Sequence, residues 1–131
     1  MKKANLSKVK LNNFATIIMG QSPSSKFYND KGKGMPFFQG VTDFGYRYPR
    51  ETFWTTVAPK KAEKDDVLFS VRAPVGAVNI ANKKCCIGRG IAAIRSKFKQ
   101  KEYLYYLLKY HSVRIQRLGV GAVYDAIKKV I

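Results

Sequence analysis

Acidic residues are the scarcest charged class in this 131-residue chain: eight Asp and Glu stand against 25 Lys and Arg, a net charge of +17 at pH 7. So one-sided a balance sets up a strong positive field and points to a polyanionic partner, nucleic acid first and an acidic membrane surface second. It also removes most metal chemistry. Apart from Glu63, Asp65 and Asp66 the acids are scattered, and no Glu has a Lys two residues on, as a common nuclease pattern requires. The single histidine, His111, and the two cysteines, Cys85 and Cys86, cannot furnish a tetrahedral zinc site alone. No Ser, His and Asp arrangement suggests nucleophilic catalysis. Neighbouring cysteines on a strand point to opposite faces, so a bond between them would be strained; two reduced thiols in a cytoplasmic protein are expected. The chain has no apolar run of about 18 residues and no signal-peptide arrangement at its start, so no membrane segment is expected. Walker-type loops and the motifs of an S-adenosylmethionine enzyme are missing too. These absences imply no cofactor, no metal and no catalysis: a reader of nucleic acid.

What is there is a packing sequence. It is 46% hydrophobic with eight Tyr and eight Phe, and residues 1–131 are expected to form one domain, large enough to bury a core without disulfide or metal staples.

Its most ordered stretch is Asp65–Ile94, DDVLFSVRAPVGAVNIANKKCCIGRGIAAI. Val67–Val71 and Ala77–Ile80 are short apolar runs parted by Ala73-Pro74-Val75-Gly76, and a polar turn at Asn82-Lys83-Lys84 precedes Cys86–Ile94. Links this short cannot hold a parallel crossover, so the three strands are expected to form an antiparallel meander. Arg72 and Arg89 sit among these apolar residues. They either contact DNA phosphate or pair internally with Asp65, Asp66 or Glu63.

Around this floor, Met1–Lys10 carries four lysines and no acid, either a solvated start or an arm that grazes phosphate. Leu11–Met19 reads as a helical turn leading into a strand. Gly20–Gly34 is a long polar loop whose Gln21, Ser24, Lys26, Tyr28 and Lys31 are of the types that meet phosphates and base edges, or merely keep a surface connection solvated. Met35–Gly40 reads as a strand starting at a proline. Asp43–Arg50 interleaves aromatic and basic residues, suited to stacking on bases and to bidentate pairing with guanine; alternatively, Phe44, Tyr46 and Tyr48 are one face of an irregular strand. Glu51–Val57 has strand composition, with Trp54 as a packing residue, and Ala58–Asp66 reads as an exposed connection. Gln100–Leu118 is the clearest helix: Leu104, Leu107, Leu108, His111, Ile115 and Leu118 share one face, Lys109, Arg114 and Arg117 form a basic ridge, and Gly119 stops it. His111 is expected to pack rather than to ligate.

Four of these segments, in this order, resemble a known family: G-Q-S-P-S-S (Gly20–Ser25), P-F-F-Q-G-V-T-D-F-G (Pro36–Gly45), D-D-V-L-F-S-V-R-A-P-V-G (Asp65–Gly76) and C-I-G-R-G-I-A-A-I (Cys86–Ile94). The sequence is similar to the target recognition domain of the DNA-specificity subunit of type I restriction-modification systems. Gly119–Ile131 also resembles the Gly-rich segment before that family's spacer helix. By this similarity the chain is expected to be one half of a specificity subunit, departing from the family in having no spacer helix after Ile131.

The resemblance implies a non-catalytic domain reading one half of a split double-stranded DNA target, in company with a modification (methyltransferase) subunit that methylates adenine and a restriction subunit that cleaves. The positions expected to contact DNA are Gln21, Ser24, Lys26, Tyr28, Lys31, Gln39, Asp43, Tyr46, Arg47, Arg50, Arg72 and Arg89. Arg47 or Arg50 would read guanine, Gln39 or Gln21 adenine, and Lys26 with Lys31 would neutralise phosphate. The competing readings are a basic domain that binds nucleic acid without sequence preference, and a truncated module that competes for the methyltransferase subunit. The expected fold is α+β, a twisted, mostly antiparallel sheet of five or six strands with the Gln100–Leu118 helix packed on one face.

Overall fold

The computed structural model describes residues 15–117 and residue 125. Met1–Lys10, Leu118 and the Gly119–Ile131 segment, apart from Asp125, lie outside the described residues. Nine strands and one α-helix are present among those described: β1 (Ala15–Met19), β2 (Tyr28–Asn29), β3 (Met35–Phe38), β4 (Trp54–Thr55), β5 (Lys61–Ala62), β6 (Val67–Ser70), β7 (Val78–Ile80), β8 (Cys85–Ile87), β9 (Ile91–Ser96) and α1 (Lys101–Gln116). The expected combination of mostly antiparallel strands and one packed helix holds. The strands are divided between two sheets, however, rather than gathered in one.

The first sheet has the order β1-β9-β6-β7, antiparallel throughout, with Val67 opposite Ile94 on one side and Ile80 on the other. Its central strand β6 explains the unbroken apolar run in the sequence. Val67 and Phe69 turn to a core shared with Leu104, Tyr105, Leu108 and Ile115 of α1, whereas Leu68 turns the other way and joins Phe38, Ala62, Cys85 and Ile87. A strand covered on both faces has no reason to alternate polar with apolar residues. Each large side chain so buried contributes roughly 1.5–3 kcal/mol.

The second sheet, order β2-β4-β3-β8-β5, packs on that other face. It is antiparallel except for β3 and β8, which run parallel with Phe37 beside Cys86. The meander expected over Val67–Ile94 is therefore corrected. After β7 the chain crosses to the second sheet as β8, then returns as β9 to the opposite side of β6. Cys86–Ile94, expected as one strand, is broken at Gly88-Arg89-Gly90, where Gly88 N donates to Phe38 O and Gly90 N to Gln39 O. The backbone passes so close here that a Cβ on Gly20 would lie 1.9 Å from Gly88 O, and one on Gly90 would lie 2.5 Å from Gln39 O. Only glycine permits that corner.

Two further expectations change. Ala58–Asp66 is not an exposed connection throughout, because Lys61–Ala62 pairs with Cys85–Cys86 and both Ala62 and Asp66 are buried. Of Glu51–Val57 only Trp54–Thr55 is a strand. Among the described residues no helix is long and apolar enough to cross a membrane.

Candidate nucleic-acid interface

The corner at Gly88–Gly90 does more than join two sheets. Gln21 N donates to Ile87 O and Gly20 N to Ile91 O, which draws the start of the Gly20–Gly34 loop over it, and Arg89 N donates to Ser22 Oγ at 3.2 Å. From β3 the chain enters a short 3-10 turn, Val41–Asp43, closed by Gln39 N donating to Asp43 Oδ2 at 2.7 Å. These segments and the residues after β6 enclose an open cleft of about 260 Å³, lined by Ser22, Gln39, Gly40, Val41, Thr42, Arg72, Ala73, Arg89 and Gly90.

The lining holds two arginines, an amide and two hydroxyls, and no carboxylate. Five carboxylates are paired away from the cleft, Asp66 with Arg95, Asp65 with Lys101, Glu63 with Lys84, Glu51 with Lys83 and Glu102 with Arg47, while Asp43, next to the lining, accepts from Gln39 N. The internal pairing of Arg72 or Arg89 with Asp65, Asp66 or Glu63, left open by the sequence, is thereby answered. Both guanidinium groups sit on exposed residues and are available to an anion. A larger cleft, lined by Glu63, Lys64, Asp65, Asp66, Arg95, Ser96, Lys99 and Lys101, is of a different kind, since its acids and bases pair with one another. Asp66, 2% exposed, takes two hydrogen bonds from Arg95 at 2.9 Å and one from Glu63 N at 2.8 Å. The hydrogen bonds to Asp66 hold the Arg95 guanidinium above its ordinary pKa.

Next to the 3-10 turn, Asp43–Arg50 forms a pinned loop. Arg50 N donates to Asp43 O, Gly45 N to Tyr48 O, and Ile80 N to Arg47 O. Buried Asn79 brackets Gly45, its Oδ1 accepting from Gly45 N and its Nδ2 donating to Gly45 O. Arg50 reaches back to Thr42 O at 3.3 Å, and Tyr46 stands 96% exposed. Arg47 points elsewhere. Its guanidinium donates to Glu102 on α1 and lies over the ring of buried Tyr105 at 4.7 Å and that of Tyr48 at 5.7 Å. The bond to Glu102, then that to Tyr48, raise its pKa.

Of the twelve positions expected to contact DNA, the structure thus brings Gln39, Arg72 and Arg89 into one cleft, with Asp43 bracing its turn and Arg50 beside it. Gln21 is exposed in the loop that follows β1, tied by its backbone, and does not line the cleft. Ser24, Lys26 and Lys31 are exposed but do not line the cleft; Lys26 lies over Phe27 and Lys31 pairs with Asp30. Tyr28 is half-buried, its hydroxyl donating to Pro23 O and its ring 4.8 Å from that of Phe37. Ser22 and Thr42 were missed. The signal for them lay in the same blocks, G-Q-S and V-T-D, where a hydroxyl sits beside a chain reversal.

Two arginines and an amide side chain thus gather at one corner of a two-sheet domain, in a chain whose sequence resembles the specificity subunits of type I restriction-modification systems. The chain belongs to that family: the model of the type I restriction modification DNA specificity domain matches residues 4–130. Among its relatives, the putative type I restriction enzyme MjaX specificity subunit of Methanocaldococcus jannaschii is 49% identical over 115 residues, which is 86% of this chain and 27% of that protein. The crystal structure of the HsdS subunit from Thermoanaerobacter tengcongensis superposes with a TM-score of 0.85 at 43% identity, covering 92% of this chain and 31% of that one. A chain from a structure concerned with complex assembly and conformational transition of the type I R-M system is 47% identical, TM-score 0.80, over 84% of this chain and 28% of that one. The S subunit from M. genitalium, at 18% identity and a TM-score of 0.68, shares the fold. This chain therefore spans about three-tenths of the length of these relatives.

Proposed function

We propose that residues 1–131 form one target recognition domain, half of a specificity subunit, which reads one half of a bipartite double-stranded DNA sequence and so directs adenine methylation and restriction by partner subunits. The domain itself is non-catalytic. The observation that carries this reading is the convergence of Gln39, Arg72 and Arg89, with Ser22 and Thr42, in one cleft free of carboxylates. Arginine pairs bidentately with guanine O6 and N7, and glutamine with adenine N6 and N7, so these three side chains suit base edges in the major groove. Ser22, Thr42, Arg50, Lys26 and Lys31 supply phosphate contacts, and exposed Tyr46 packs on sugar or base. Arg47 and Tyr28, held by internal partners, serve as framework.

Selection of bound sequences from a randomised duplex pool, at moderate salt, tests the proposal. Arg72→Ala or Arg89→Ala is expected to cost about 1–3 kcal/mol and to blur one selected base. Uniform weakening over all sequences, with a shallower salt dependence, would make both arginines phosphate contacts instead.

A further inference from the structure

The helix α1 buries one side only: Leu104, Tyr105, Leu108 and Ile115 enter the core. The opposite side is not the polar surface that such a helix ordinarily presents. Tyr106, Tyr110 and Val113 are 59%, 82% and 55% exposed, and with Tyr103 at 46% they follow the alternating three- and four-residue spacing of a helix-packing seam. A helix that is apolar on two sides is normally covered on two sides. Tyrosine is, moreover, the aromatic most at home in an interface that forms from water, apolar along the ring and polar at its tip.

Charge decides what the cover is. Lys109 and Arg114 flank the seam on either side and Arg117 lies at its end, all three exposed. A second copy of this chain would bring the same cations, and a net +17, against them. The chain's own Met1–Lys10, with four lysines and no acid, is repelled in the same way. We propose that this face of α1 docks an amphipathic helix from a partner protein, its apolar stripe seated on Tyr106, Tyr110 and Val113 and its flanking acids paired with Lys109, Arg114 and Arg117. The surface is separate from the cleft and serves assembly rather than reading.

The test uses the whole chain and a labelled synthetic helical peptide with leucines at the same three- and four-residue spacing and glutamates on both flanks, followed by fluorescence anisotropy at physiological salt. Binding is expected, weakened by added salt, and weakened about tenfold or more when Tyr110→Ser and Val113→Ser are combined. A peptide with the same glutamates but serine for leucine is expected to bind at least about tenfold less. Circular dichroism and thermal unfolding of the variant should match the parent, since both positions are exposed; Tyr106→Ser gives an independent second variant. The proposal is overturned if the two peptides bind alike, if the seam variants bind as the parent does, or if sedimentation shows self-association that those variants abolish. Loss of duplex affinity in the seam variants would likewise overturn it and make the face part of the DNA contact. The selected DNA sequence, unchanged in the variants, keeps this outcome distinct from failure of the recognition reading.

Discussion

Arg47 and Glu102, 55 residues apart in sequence, form an ion pair that fastens the Asp43–Arg50 loop to the first turn of α1. The guanidinium also rests on Tyr105 and Tyr48. The loop that presents Tyr46 and adjoins the cleft is thus held by the helix and by Asn79.

Removal of this tether should therefore loosen the loop without erasing a base preference. A pair this exposed contributes about 0–1 kcal/mol and the ring contacts about 0.5–1 kcal/mol, so Arg47→Ala should cost roughly 0.5–2 kcal/mol of stability. Its effect on DNA should be weaker binding to all sequences alike, and Arg47→Lys, which keeps the charge but not the planar fork, should restore stability only in part. Denaturant unfolding alongside sequence selection measures both.

Asp66 is the other acid that matters, and for the fold alone. Asp66→Asn removes the charge that receives two bonds from Arg95 inside the core edge, and about 2–3 kcal/mol of stability should go with it. The selected DNA motif should not change. A shifted denaturation midpoint with an unaltered motif is the expected pair of results.

Gly20→Ala places a methyl group 1.9 Å from Gly88 O, against backbone that cannot yield without moving the corner. We expect a loss of about 3 kcal/mol or more, together with reduced DNA affinity, because Ser22 and Arg89 are aligned by the same crossing. Affinity intact in a destabilised protein would separate the corner from the cleft.

Burial pushes the Cys85 thiol up to about 12 and the Cys86 thiol up to about 11. Both cysteines are free and buried, so neither should react with a disulfide reagent at pH 8 until the chain unfolds. The sign of the linked stability follows. With pKa values raised on folding, the native state keeps protons that the unfolded chain loses, so this contribution is complete below the ordinary thiol range and fades as pH rises through about 11 to 12. Unfolding midpoints measured from pH 8 upward should fall, and a Cys85→Ala, Cys86→Ala variant should fall less.

How far the sequence discloses this arrangement depends on the kind of signal. Helix α1 was legible to within two residues, because a repeating apolar face states its own period. So were the buried runs of β6 and β7. The division into two sheets was not, since a run such as Cys86–Ile94 is apolar whether it continues or turns, and only the close approach of Gly20, Gly88 and Gly90 makes it turn. Gln39, Arg72 and Arg89 could be named, but not their meeting, which is a consequence of that corner. Arg47 looked like Arg50 in sequence; it differs because Glu102, far along the chain, lies within its reach. The aromatic seam of α1 was not drawn from the sequence, where the face opposite the core was read only for its basic ridge of Lys109, Arg114 and Arg117; the exposure of the tyrosines is visible only once the helix is docked.

The most direct test of the central claim is selection from a randomised double-stranded DNA pool at moderate salt, carried out with the parent chain and with Arg72→Ala and Arg89→Ala in parallel. The account predicts a short enriched motif for the parent and the loss of preference at single positions for each variant. Tight binding with no enriched motif, equally weakened by both substitutions and steeply dependent on salt, would contradict it.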